Sequence, residues 1–334
     1  MYNNEEIDEI IQKSENIYAD SGTQGTGSRR KTGSWRFSGN KRKPVNKRRR
    51  VILIVLVCIL LLLLILYIDS NVRLVTEEYK LYYENLPEVF DGFRIVVLSD
   101  IHGAEYGQDN DRLVKAVIAA KPDIIAITGD LIDRFQSGRP VERQLETAET
   151  LVKMLVRVAP VYFVTGNHEW DSGMVRPLLD MLNECGVHVL RNQYALQKRG
   201  GESFVLAGVD DPNGPADMLK PDELVDRIRT AEGDKFLILL SHRNYYLKEY
   251  SVLGIDLVLS GHSHGGMVRL PLTDGLIGPQ YEFMPTYTNG LYSLNGTDMV
   301  VSRGLGNHFG WTRFLNNPHI VVVELKVNKP DMID

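Results

Sequence analysis

FRIVVLSDIH, residues 93–102, is the stretch on which the fold of this chain turns. A short apolar run rich in β-branched residues reads as a strand buried on both faces. It ends in a small residue and then in two side chains able to hold a metal, Asp100 and His102. The pattern returns four times. IIAIT (124–128) runs into Gly129-Asp130, YFVT (162–165) into Gly166-Asn167-His168, LILL (237–240) into Ser241-His242, and LVLS (257–260) into Gly261-His262-Ser263-His264. Ligands of open α/β sheets bind just beyond the carboxyl ends of the strands. Five strand ends thus bring Asp100, His102, Asp130, Asn167, His168, His242, His262 and His264 toward one rim. Asp100/His102 and His262/His264 are spaced i, i+2, which in extended chain aims both members of a pair to one side. A lone Gly-Asn-His usually marks a turn. What points to a site is the joint recurrence of these blocks, which hold five of the eight histidines.

Further strand-like runs occupy 203–209, 298–302 and 319–327. Helical spacing covers 110–121, 142–157, 174–185 and 221–232. Strands alternate with helices early on, while the C-terminal third is mostly strand. That mixture predicts α/β layers, with two sheets packed together and helices outside.

The donor set exceeds one coordination shell and therefore predicts two divalent ions. No cysteine joins it, so a structural zinc site is not indicated. Mixed imidazole and carboxylate ligation suits Mn, Fe, Zn or Co. Two such ions can hold a hydroxide for attack and neutralise charge on a phosphoryl group, the chemistry of phosphoester or amide hydrolysis.

Upstream, the chain divides sharply by charge. Residues 1–50 carry 12 basic and 6 acidic residues, and 51–68 (VILIVLVCILLLLLILYI) carry none. The remaining 266 residues carry a net −11, so the overall −5 describes no part of the molecule. Eighteen apolar residues make a helix about 27 Å long, enough to cross a bilayer. No small-residue cleavage site follows, so an uncleaved anchor is expected. Eleven Lys/Arg and no acid lie between Arg29 and Arg50, against Asp69, Arg73, Glu77 and Glu78 beyond the helix. The positive-inside rule then predicts a single-pass cell-membrane protein, N-terminus cytoplasmic and catalytic domain outside. The expected organisation is a largely disordered charged tail (1–50), a transmembrane helix (51–68), a juxtamembrane connector (69–90) and a catalytic domain (91–334). Cys58 falls in the helix and leaves Cys185 alone, so no intramolecular disulfide is expected.

Asp100-x-His102, Gly129-Asp130-x-x-Asp133, Gly166-Asn167-His168-Glu169, Ser241-His242 and Gly261-His262-x-His264 together resemble the signature of the calcineurin-like metallophosphoesterases. The resemblance implies a four-layer α/β/β/α sandwich and a dinuclear centre. One metal would take Asp100, His102 and His264; the other would take Asn167, His242 and His262; Asp130 would bridge them. His168 would bind no metal but act beside the substrate as proton donor or oxyanion stabiliser, oriented by Asp133. The glycines and Val-Arg-Leu-Pro that follow His264, with Ser302-Arg303-Gly304-Leu305-Gly306, resemble the membrane-associated bacterial branch. Some members of that branch cleave the pyrophosphate of a nucleotide-linked lipid A precursor. Met267 stands where the branch often carries Gln.

The expected activity is hydrolysis of phosphomonoesters, phosphodiesters or pyrophosphate esters by a metal-bound hydroxide. Lipid-linked or cell-wall phosphoesters are among the expected substrates, and Arg303 and His308 are candidate substrate contacts. Two other classes compete: a membrane-tethered binding or sensor module with structural metals, and a serine hydrolase using Ser263 of Gly261-x-Ser263-x-Gly265. The first has no use for His168, and the second needs a helix after the serine where Pro271 stands. Nucleic acid is not an expected partner of a domain near −11. Asp210 and Asp211 read as turn residues, and His188 and His319 have no motif support.

Overall fold

In FRIVVL the side chains alternate between two cores, because successive residues of a strand point to opposite faces. Ile95 and Val97 pack toward a second sheet, while Val96 and Leu98 pack against helices. The computed structural model describes residues 47–134, 140–215, 220–270, 274–278, 281–307 and 313–328. The tail expected to be disordered lies outside the described residues up to 46, as does His308.

Helix α1 (Lys47–Val72) extends four residues beyond the apolar run at either end. It carries the composition and length to cross a membrane, and none of its apolar span is buried against the protein. Residues 75–83, inside the stretch expected to be a connector, form strand β1 (Val75–Tyr83). VTEEYKLYY alternates polar and apolar residues, the mark of a half-exposed edge strand rather than a fully buried one.

Strands β2 (Arg94–Leu98), β3 (Ile124–Ile127), β4 (Val161–Phe163) and β5 (His188–Val189) follow in the first sheet, which closes with β12 (His319–Val327) in the order β1-β12-β2-β3-β4-β5. The second sheet contains β6 (Gln193–Arg199), β7 (Glu202–Gly208), β8 (Leu237–Leu240), β9 (Leu257–Ser260), β10 (Gly290–Leu294) and β11 (Thr297–Val301), ordered β10-β11-β9-β8-β7-β6. Helices α2 (Asp111–Ala120), α3 (Val141–Leu155) and α5 (Val175–Glu184) cover the first sheet, with Leu113, Leu151 and Leu178 fully buried. The single turn α4 (Asn167–Asp171) follows β4. Helices α6 (Pro221–Glu232) and α7 (Leu247–Val252) cover the second sheet through Leu224, Ile228, Leu247 and Tyr250. The architecture is the four-layer α/β/β/α sandwich.

Three apolar clusters hold the layers together, and the middle one joins the sheets through Ile95, Val97, Phe204, Ile238, Leu259 and Val321. Each such side chain contributes roughly 1.5–3 kcal/mol on burial. Register then levels the strand ends. Leu98 pairs with Ile127, Ile127 with Phe163, and Leu240 with Leu259, all in parallel. The residues that follow these pairs are the five motif blocks, which therefore emerge on the same side of the sandwich.

Candidate metal centre

Strand β2 releases Asp100 and His102, and the backbone there is not extended. Both residues adopt positive φ (50° and 48°), as do Asp130 (53°), His262 (66°) and His264 (48°). This corrects the extended-chain reading of the i, i+2 pairs. The left-handed conformation, costly for residues with a Cβ, is held by the surrounding structure, as is common at functional sites. Asp100 and His102 still serve one cluster, but His262 and His264 part company. His264 Nε2 lies 3.1 Å from His102 Nε2 and 3.4 Å from Asp100 Oδ1. His262 Nδ1 lies 3.2 Å from His242 Nε2, which is 3.1 Å from both Asp130 Oδ2 and Asn167 Oδ1. Asp130 Oδ2 is also 3.8 Å from His102 Nε2, so its carboxylate faces both groups. These side chains are almost wholly buried.

Close packing of backbone makes this convergence possible. A Cβ on Gly166 would stand 2.2 Å from Asp130 Oδ1, and one on Gly129 would stand 2.6 Å from the Gly166 nitrogen. Glu169, fully buried, binds the same turn from beneath. Its carboxylate accepts from the backbone N–H of Asp130 (2.8 Å), Leu131 (2.7 Å), Ile132 (3.2 Å) and Gly166 (2.7 Å). Burial, with the Asp130 charge adding to it, pushes its pKa up to about 7.

Electrostatics within the cluster follow from burial and proximity. Desolvation raises Asp100 to about 6. Burial also opposes ionisation of Asp130, but the surrounding imidazoles outweigh it and hold that carboxyl well below its usual range. His242 is the converse case: desolvation favours its neutral form, while Asp130 raises it to about 10. His262 is pushed well down, first by burial and then by the charges of His242 and Arg243.

His168 adjoins the ligand groups: its ring centroid lies 4.6 Å from that of His102, and its backbone N–H donates to Asp130 Oδ1 at 2.8 Å. Its Nδ1 meets Asp133 Oδ1 at 2.7 Å and its Nε2 lies 4.0 Å from Asp130 Oδ2. Burial alone would favour the neutral ring, but the Asp130 charge and the Asp133 hydrogen bond raise its pKa above the usual histidine value. Asp133 is itself placed by Gln144, whose Oε1 accepts from the Asp133 N–H at 2.7 Å.

Gln144 and Glu169 carried no role in the sequence reading, and neither did Arg243. Arg243 is buried with Nη1 3.2 Å from His262 Nε2, and its guanidinium is held bidentately by Asp211. The only sequence signal was an arginine directly after a strand-end histidine; its partner lies 32 residues upstream. Asp210 and Asp211 are therefore ion-paired groups rather than simple turn residues, Asp210 accepting from Arg191 (2.9 Å) and Thr165 (2.8 Å). Arg303 is largely buried and pairs with Glu77 at 2.7 Å. Ser263 donates to the Thr288 carbonyl at 2.6 Å, and a short 3₁₀ turn follows it instead of a helix.

The sequence profile of the calcineurin-like phosphoesterases matches residues 93–266, just over half of the chain. This chain belongs to the calcineurin-like phosphoesterases. It is 30% identical over 263 residues to a Bacillus subtilis (strain 168) protein, "Uncharacterized metallophosphoesterase YkuE", covering 78% of this chain and 88% of that one. An "Uncharacterized metallophosphoesterase" of Aquifex aeolicus (strain VF5) is 30% identical, covering 76% and 92% respectively. A Danio rerio "Transmembrane protein with metallophosphoesterase domain" is 33% identical over 73% of this chain, but this chain spans only 55% of its length. Family membership and the buried His/Asp clusters together support metal-dependent phosphoester hydrolysis as the general activity.

Proposed function

We propose that the chain is a dinuclear phosphoesterase whose first ion would be held by Asp100, His102 and His264, and whose second would be held by Asn167, His242 and His262. Asp130 would serve both. The observation that carries this reading is the crowding around His242 Nε2. That atom has a carboxylate oxygen, an amide oxygen and another ring nitrogen within 3.1–3.2 Å. One ring proton can satisfy only one of them, whereas a divalent cation at their centre satisfies all, and the mixed N/O donors suit Mn, Fe, Zn or Co.

When bound, two such ions would polarise the phosphoryl group and supply a nucleophilic water at neutral pH. The chain's own residues do the rest. Asp133 fixes the His168 ring so that its Nε2 faces the cluster, and the raised pKa favours a proton there for the departing or developing oxyanion. Glu169 and the glycines hold the Asp130 turn still. The sandwich walls exclude water from the ligands, which strengthens every charge interaction in the site.

The same reading places the enzyme in the membrane by α1, with the tail cytoplasmic and the catalytic domain outside. The eleven Lys/Arg of 29–50 support that orientation. Lipid-linked or envelope phosphoesters are the substrates nearest to such a site. The test is turnover of aryl mono- and diesters by the full chain, stripped of metal and then reloaded with Mn. Activity should vanish and return; activity indifferent to chelation and to Asp130→Ala would refute the dinuclear reading.

A further inference from the structure

Outside α1, four exposed apolar side chains fall within a short span of the described chain: Leu270 (44% exposed), Tyr281 (70%), Phe283 (75%) and Met284 (57%). Phe283 and Met284 share the wall of a cavity of about 340 Å³ with Tyr245, and His262 and Ser263 of the metal rim line the same cavity. The metal centre thus opens beside an apolar surface.

That surface is connected to the end of α1 by consecutive hydrogen-bonded strips. Ser70 Oγ accepts from the Leu315 N–H at 2.8 Å, Asn71 Nδ2 donates to the Arg313 carbonyl at 2.9 Å, and Asn317 Nδ2 donates to the Asp69 carbonyl at 2.7 Å. Phe314 bridges Val268, and its carbonyl accepts from the Arg269 N–H at 3.0 Å. The Val268 carbonyl accepts from Leu276 (2.8 Å), and the Leu276 carbonyl accepts from Met284 (2.9 Å). Three steps of strand spacing keep Met284 within roughly 15 Å of the strip that grips the helix. The helix exit is therefore clamped to the domain rather than joined by a loose linker. A clamped exit holds neighbouring surfaces at a set height over the bilayer. Tyrosine, phenylalanine and methionine are side chains that partition into the headgroup layer, where an amphipathic surface buries about 5–10 Å deep.

We propose that Leu270, Tyr281, Phe283 and Met284 rest in the headgroup layer of the bilayer that α1 spans, so that the cavity reaching His262 opens at the lipid–water interface. This rests on α1 being an anchor, and the use of the cavity rests on the phosphoesterase reading.

The test uses the full chain in phosphatidylcholine vesicles, with Cys58→Ser and Cys185→Ser removing the native thiols. An environment-sensitive fluorophore is attached through Phe283→Cys or, separately, Met284→Cys. Asp234→Cys is the control, since the Asp234 side chain is 90% exposed and precedes β8 at the end opposite the rim. Doxyl-labelled lipid should reduce emission at 283 and 284 by about twofold relative to 234. Equal quenching at all three sites overturns the proposal. So does a blue-shifted label that lipid does not quench, which would mean that protein, such as a second copy of the chain, covers the patch. Aryl-ester turnover is read in the same vesicles on the chain labelled at 234, where the fluorophore lies away from the cavity. Lost turnover with quenching retained rejects the hydrolytic reading and upholds the docking; the reverse result rejects the docking alone.

Discussion

The rim of strand ends is built from buried polar groups and the seam at the end of α1 from mostly half-buried ones, and the two are written into the chain in opposite ways. At the rim each ligand sits two to four residues beyond an apolar run, so a short window of sequence shows both the strand and its cargo. At the seam the partners are Asp69, Ser70 and Asn71 on one side and Arg313, Leu315 and Asn317 on the other, more than 240 residues apart. Serine and asparagine there carry no motif. The rim is assembled largely from ionisable side chains; the seam is assembled mainly from amide and hydroxyl side chains meeting backbone groups, with Asp69 also accepting from Arg73 and Asn317.

Substitutions can break that contrast. Asp130→Ala should have the largest effect. Removing the carboxylate that faces both ligand groups loses several kcal/mol of charge stabilisation, about a 10³-fold loss of kcat or more, read on an aryl phosphoester. Retained activity would place Asp130 with the seam, as structure only. His168→Gln comes next, with an expected loss of about 10²-fold in kcat. Burial opposes a charge on His168, but Asp130 and Asp133 outweigh it and raise its pKa above the usual histidine value, so the rate should fall as pH rises through that raised value. The variant should lose this alkaline limb while metal content, measured by elemental analysis, stays unchanged.

Asn71→Ala should behave otherwise. It removes the bond to the Arg313 carbonyl and strands the Arg313 N–H and the Asn307 amide that its Oδ1 accepts from. The full chain should lose about 1–2 kcal/mol of stability in denaturant titration. Turnover should stay within about twofold. A catalytic loss as deep as that of His168→Gln would merge the two regions into one functional unit. Smallest should be Glu77→Gln, which breaks the Arg303 ion pair between β1 and the segment after β11. About 1 kcal/mol is expected, since Glu77 remains one-third exposed.

Much of the molecule was legible beforehand for physical reasons. Fully apolar strands such as IIAI and LILL have one reading in a soluble domain, and their ends carry the ligands. The edge strand β1 was missed because VTEEYKLYY is half polar and its partner, β12, lies at the other end of the chain. Arg243 and Asp211 were missed because a buried ion pair leaves no spacing rule; only packing brings β8 and the residues after β7 together. The splitting of His262 from His264 depended on positive φ at both residues, which side-chain periodicity does not report.

Local sequence by itself determined the apolar strands that end at the rim, the apolar helix and the identity of the side chains at the rim, because burial preference and strand period act over a few residues. The division of the histidines between clusters was already implied by the family resemblance and not by strand period. Tertiary structure alone decided which arginine is held beside His262 and how the end of α1 is gripped. Those outcomes depend on contacts between distant segments, whose geometry exists only once two sheets have packed and levelled their ends.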